Sequence, residues 1–240
     1  MRISRLSVGI VTLALLSSSA SAGLINIDFK TTANTPSYTG AGIIGSDGQY
    51  WNSYVAGSGW VMNNLFVLNT LQDSTGATVA GGSFKLDHGS YGIGDHAAVV
   101  PSLLTRPGQG YASFDRLFDL SVSHPYLRHV VTGMVAGGAY DVVLYHGYQG
   151  TQAPQYTVNG VTAAFSSANF SANSMVAGRD YVTLNNVIAD SNGRIIITTG
   201  SGWNSNSGIT AIQIEGDLVP APGAIALLGV AGLMGRRRRN

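Results

Sequence analysis

Apolar and polar residues alternate with a period of two along much of the chain, the pattern of half-buried β-strands. In residues 24–29 (LINIDF), Ile25, Ile27 and Phe29 fall on one face while Asn26 and Asp28 fall on the other. Further strand-like runs cover residues 64–71, 78–86, 128–135, 140–146, 155–158, 161–165, 181–188, 194–199 and 209–215. Turn signals separate them: Asp73-Ser74-Thr75-Gly76, Gly137-Gly138 and Asp190-Ser191-Asn192-Gly193. Asn159-Gly160 is the sharpest of these, because a two-residue hairpin turn needs φ > 0 at both positions. Only residues 112–120 (ASFDRLFDL) have helical spacing, with Phe114, Leu117 and Phe118 on one face. Two long segments, 31–62 and 88–111, lack strong periodicity. Loops of such length in a compact domain are usually functional or mobile. Short strands with turns between them predict an all-β, antiparallel β-sandwich of jelly-roll type.

The two ends break this pattern. Arg2 and Arg5 precede an apolar stretch, and small residues follow at 17–22. Ala20 and Ala22 fit the A-x-A cleavage rule of a secretory signal peptide, so the mature chain is expected to begin at Gly23. At the other end, Pro220 and Pro222 precede an apolar stretch at 223–235, then Arg236, Arg237, Arg238, Arg239 and Asn240. An ordinary spanning helix needs ~17–25 apolar residues, a length approached when the stretch is counted from Val219. The four arginines would keep its end on the cytoplasmic side. The expected organisation is a signal peptide at 1–22, a β-sandwich domain at 23–217, and a sorting or anchor segment with an apolar helix at 218–240.

This tail resembles the PEP-CTERM sorting signal of Gram-negative bacteria, with Ala221 where that family has glutamate. The resemblance implies an exosortase-type sorting enzyme as partner, a membrane association through the tail before processing, and a destination at the cell surface or in the extracellular matrix.

Composition sharpens the reading of the body. Only 10% of the 240 residues are charged and 32 are glycine, which suits a loop-rich β fold better than a helical bundle. Six of the 13 basic residues lie in the terminal segments, so the remaining seven face all 12 acidic residues, a balance of −5. A mildly acidic body lacks the basic footprint that nucleic-acid binding needs. Without cysteine, disulfides, thiolate metal sites and cysteine nucleophiles are excluded.

Motifs of catalysis are absent: there is no G-x-S-x-G elbow, no H-E-x-x-H and no phosphate-loop lysine motif. Paired carboxylates for glycoside hydrolysis would have to come from Asp87, Asp95, Asp115 and Asp119, since Glu215 is the only glutamate. Asp87-His88 and Asp95-His96 are metal-type pairs, although turn aspartates beside surface histidines explain them more simply. Asp190-x-Asn192-Gly193 opens like a calcium loop, although a tight turn accounts for it. Asp28, ending the first strand, is the candidate for a structural calcium, by analogy with other jelly rolls.

Binding candidates are aromatic, because a flat ring beside an amide suits the apolar face and polar rim of a sugar. Trp203 with Asn204, in a Gly/Ser/Asn-rich stretch, leads, joined by Trp60, Tyr54, Tyr148 and the strand-end His146. Trp51 is read as a core residue.

The body also resembles the galactose-binding-like jelly-roll domains that commonly precede such tails. The INIDF strand, Tyr50-Trp51-Asn52, the VVTGMVAGGAYDVVLYH block and the closing residues 209–214 carry the likeness in that order. It implies a sandwich used for carbohydrate binding and no defined reaction. The expectation is therefore an exported, non-catalytic protein that binds extracellular polysaccharide. A matrix component without a specific ligand and a glycan-active enzyme are the alternatives.

Overall fold

The computed structural model describes residues 21–30, 38–55, 67–87, 102–103, 120–123, 128–146, 155–166, 175–199 and 208–219. All belong to one unit, Ala20–Ala221. Every regular element among the described residues is a strand: β1 (Ser21–Lys30), β2 (Asn52–Val55), β3 (Val67–Leu68), β4 (Phe84–Asp87), β5 (Ser102–Leu103), β6 (Leu120–Ser123), β7 (Arg128–Thr132), β8 (Ala139–His146), β9 (Gln155–Val158), β10 (Val161–Ala164), β11 (Tyr181–Ile188), β12 (Arg194–Thr199) and β13 (Gly208–Leu218).

They form two sheets. One runs β11-β8-β13-β1-β2, with β6 beside β13 and β5 beside β6; the other runs β10-β9-β12-β7-β4-β3. Every strand pair is antiparallel except β1–β2, which is parallel with Phe29 opposite Tyr54. The all-β architecture of two antiparallel-rich sheets agrees with a β-sandwich.

Period-two alternation builds the shared core. Ile25, Ile27 and Phe29 of β1, Val142 and Leu144 of β8, and Ile212 and Ile214 of β13 are buried with Phe84, Val131, Tyr156, Val158, Ile195 and Ile197 of the second sheet. At one end, Tyr54 meets Phe29 and Phe84 edge-on, with centroids 5.6 and 5.2 Å apart, an arrangement that suits the ring quadrupoles.

The Asn159-Gly160 turn joins β9 and β10 with φ of 44° and 88°, as the dipeptide predicted. Asn159 also ties the hairpin to its neighbours. Its Nδ2 donates to the Ile188 and Arg194 carbonyls at 2.9 and 2.8 Å, and its Oδ1 accepts from the Ile196 N–H at 2.8 Å. Asn159→Ala removes three hydrogen bonds and places an alanine at positive φ. A loss of about 2 kcal/mol is expected in denaturant unfolding of the full chain.

Some predicted elements are shorter than read. Residues 64–71 contribute only Val67–Leu68 among the described residues, and the 78–86 run begins its strand at Phe84, because Gly81 (φ 65°) turns the chain first. The 128–135 run stops at Thr132, where Gly133 (φ 101°) breaks the ladder. The helical reading of 112–120 fails at its last residue. Leu120 opens β6, whose Leu-Ser-Val-Ser alternation is that of a strand; the rest of that segment lies outside the described residues. β2 and β5 were not anticipated, being too short to show a period.

Candidate functional site

The outer face of the β11–β2 sheet, turned away from the core, carries an unusual concentration of polar side chains. Asn26, Asp28 and Gln213 are buried, although strand positions at an open sheet face would normally be wet. Residues 38–51 explain this by folding over that face. Tyr38 and Trp51 pack with Val143, Tyr145 and Ala211, flanked by Ile43, Ile44, Met175 and Tyr181. Tyr38 and Trp51 meet edge-on at 5.0 Å, and the Trp51 indole N–H donates to the Gly40 carbonyl at 3.1 Å.

Gln213 is the centre of the attachment. Its Oε1 accepts from the Tyr145 hydroxyl at 2.5 Å and from the Ile44 N–H at 3.1 Å. Its Nε2 donates to Asn26 Oδ1 and to the Ile44 carbonyl, both at 2.8 Å. The Ile43 N–H donates to the Tyr145 oxygen at 2.6 Å, and Asn26 Nδ2 donates to the Tyr50 carbonyl at 3.0 Å. Asn52 continues the network by donating to the Asn26 and Gln72 carbonyls and accepting from the Gln72 N–H. Each amide in this chain uses both its donor and its acceptor, as burial demands. Gly42 lies so close to Gln213 that a Cβ there would collide with its amide.

Burial pushes the Tyr38 phenol up to about 12, with Asp47 and Asp28 adding to the effect. Burial likewise raises the Tyr145 phenol above its ordinary value. Both stay neutral and serve as hydrogen-bond donors. The amides and neutral phenols together hold the covering segment in place.

The residues singled out from sequence scatter. Tyr54 is 2% exposed inside the core, because pairing with Phe29 in β2 turns its ring inward, beyond the reach of a glycan. His146 is also inward, with Phe165 at 4.8 Å and Tyr156 Oη 3.5 Å from its Nδ1. For these two, the expected ligand-facing position is corrected by strand alternation. Trp51 is buried, as read. Trp60, Tyr148, Trp203 and Asn204 lie outside the described residues, as do Pro220, Pro222, Arg236, Arg237, Arg238, Arg239 and Ala20. Ala22 sits in β1 opposite Asp217, so cleavage after it would leave Gly23 as the first residue of that strand.

Asp28, the calcium candidate, is buried under the covering loop, and no cluster of three His, Asp or Glu forms among the described residues. Asp87 ends β4, while His88, Asp95, His96, Asp115 and Asp119 lie outside the described residues. Asp190 is occupied by its own turn. It accepts from the Asn192 and Arg194 N–H groups, both at 2.9 Å, and from Arg194 Nε at 2.7 Å. Desolvation opposes ionisation there, but the guanidinium and the two N–H groups outweigh it and hold the carboxyl below its ordinary value.

Polar network members were missed by the sequence reading. A signal existed: Asn26 in INIDF and Gln213 in ITAIQIEG are amides inside otherwise apolar strands. No family model and no curated protein matches the chain.

Proposed function

We propose that this chain is an exported protein of the cell surface or extracellular matrix, with a non-catalytic sandwich of jelly-roll, galactose-binding-like type that binds polysaccharide. The observation that carries the reading is the order of three segments in one chain. An A-x-A-terminated apolar leader comes first, then an all-β body, then a Pro-x-Pro, apolar and tetra-arginine tail. The two-sheet body supports the sandwich. Scarce charge and a lack of catalytic motifs support a binding or structural role over turnover. The burial of Tyr54 and His146 favours a second reading, a structural matrix component without a specific ligand.

The test is expression of the full chain in a Gram-negative host that makes an exosortase, followed by fractionation and N-terminal sequencing. The expected product begins at Gly23 and is absent from the cytosol. Replacing Arg236, Arg237, Arg238 and Arg239 with glutamine is expected to change its sorting. Intact chain, starting at Met1 and soluble in the cytosol, would refute export.

A further inference from the structure

The outward face of the β10–β3 sheet carries three basic residues, Lys85, Arg128 and Arg194. Phe84, Leu86, His129, Val131, Ile195 and Ile197 point into the core, so the alternate residues point outward. Lys85, Arg128, Val130, Thr132, Arg194 and Ile196 line a groove there of about 250 Å³. The register fixes its layout. Lys85 lies opposite Val130, and Val130 opposite Ile196, making one row across β4, β7 and β12. Arg194 stands in the adjoining row, opposite Thr132, and Arg128 in the row on the other side, between Thr198 and Asp87. With strands ~4.8 Å apart and ~3.4 Å per residue, the three basic positions are roughly 8–14 Å from one another.

Three of the seven basic residues of the body thus share one groove on a domain whose balance is −5. Lys85 makes no ion pair among the described residues, and Arg194 is oriented through its Nε by Asp190 at 2.7 Å while its side chain stays 41% exposed. The floor, Val130 and Ile196, is apolar and β-branched, and no aromatic ring lines the groove. Recognition here is by charge over an apolar floor, not by ring stacking. That suits a chain of sugar rings bearing carboxylates at intervals: ring C–H faces meet the floor and carboxylates meet Lys85 and Arg194. Nucleic acid fits worse, because the groove offers no aromatic stacking platform for its bases.

We infer that this groove binds an acidic polysaccharide, with Lys85 and Arg194 holding its carboxylates. The inference rests on the export reading, which brings such polymers within reach.

The experiment is calorimetric titration of the full chain, in detergent at low salt, with polygalacturonate, its neutral methyl ester, and single-stranded DNA. Polygalacturonate is expected to bind, and the ester at least about tenfold more weakly. Lys85→Glu is expected to weaken binding about tenfold with an unchanged melting temperature, Lys85→Arg to retain it, and added salt to weaken it. Should Lys85→Glu fold poorly, Lys85→Gln serves, with a loss of about threefold. Equal affinity of the Lys85 charge variants and wild type, equal binding of the ester, or tighter binding of DNA would each overturn the assignment. An exported chain indifferent to polygalacturonate refutes this site and leaves export standing. A cytosolic chain that binds it through Lys85 does the reverse.

Discussion

Acidification from pH 7 to pH 4 is expected to destabilise the fold by on the order of 3 kcal/mol through a single residue, His129. This histidine occupies a core position of β7, 1% exposed, with Phe29 and Phe84 rings at 6.0 and 6.2 Å. Burial pushes its imidazole from the ordinary 6.5 down to about 4, and a contact with the Ile197 backbone offsets only part of that. The sign follows from proton binding. Above 6.5 neither the folded nor the unfolded chain protonates this ring, and its titration has no effect. Between 6.5 and about 4 the unfolded chain takes up a proton that the folded chain refuses, so stability falls with pH. Below about 4 both states are protonated and the loss is complete. For a domain of this size, roughly 6–12 °C of melting temperature should disappear. His129→Leu keeps an apolar group of similar size between the two rings and removes the titration. Melting curves of wild type and His129→Leu at pH 7 and pH 4 decide the matter. Carboxylate titrations, including Asp190, are common to both proteins and cancel. If both lose the same number of degrees on acidification, the histidine account is wrong.

His129 also marks how far the sequence could be read. Its place in a strand was legible, since residues 128–135 read as a strand-like run, but the side it faces was not: burial alternates along Arg128–Thr132 although the residue types do not. Nor was its cost, because nothing local distinguishes a histidine facing two phenylalanines from one facing water. Both phenylalanines are remote in sequence, at 29 and 84. The same division recurs elsewhere. The Asn159-Gly160 hairpin was legible because its cause is local, a pair of residues that tolerate positive φ. The imperfect alternation of 209–215 proves to be a register shift between Ile209 and Ala211 that lets Ile209 and Ile212, three apart, both reach the core. In β11 an irregularity between Leu184 and Val187, with Asn186 at φ 56°, does the same. Apolar residues three apart inside a strand pattern are thus the trace of a bulge. By contrast, β2 and the covering segment 38–51 left no period to read. Their order comes from partners 102 and 169 residues away, Tyr145 and Gln213. The ring candidates suffered from the same limit: Tyr54 and Trp51 sit in one aperiodic stretch, and only pairing with β1 and packing on β8 decide where each ring goes.

Gln213→Leu is expected to be the most damaging single change on the outer face of the β11–β2 sheet, costing about 4 kcal/mol. Leucine matches the glutamine in length and would be welcome in an apolar strand, so packing alone predicts little harm. Hydrogen bonding predicts otherwise. Four groups lose their partner at once: the Tyr145 hydroxyl, the Ile44 N–H, the Ile44 carbonyl and Asn26 Oδ1. Each buried polar group left unmatched costs about 1–3 kcal/mol, and water entering under the loop would recover some of it. Because the Ile44 bonds fasten residues 38–51 to the sheet, the loss should be local before it is global. The segment should lift from β8 and β13, exposing Trp51 and becoming the first site of proteolytic cutting. The measurement is paired: denaturant unfolding for the magnitude, and limited proteolysis with mass mapping for the location. Tyr145→Phe provides the comparison, since it removes only the bonds at the phenol oxygen and should cost about 1–2 kcal/mol. Cutting within 38–51 that is no faster in Gln213→Leu than in wild type would mean that the apolar contacts of Tyr38, Trp51, Ile43 and Ile44 hold the segment on their own. The amide network would then be a consequence of the loop's position and not its cause.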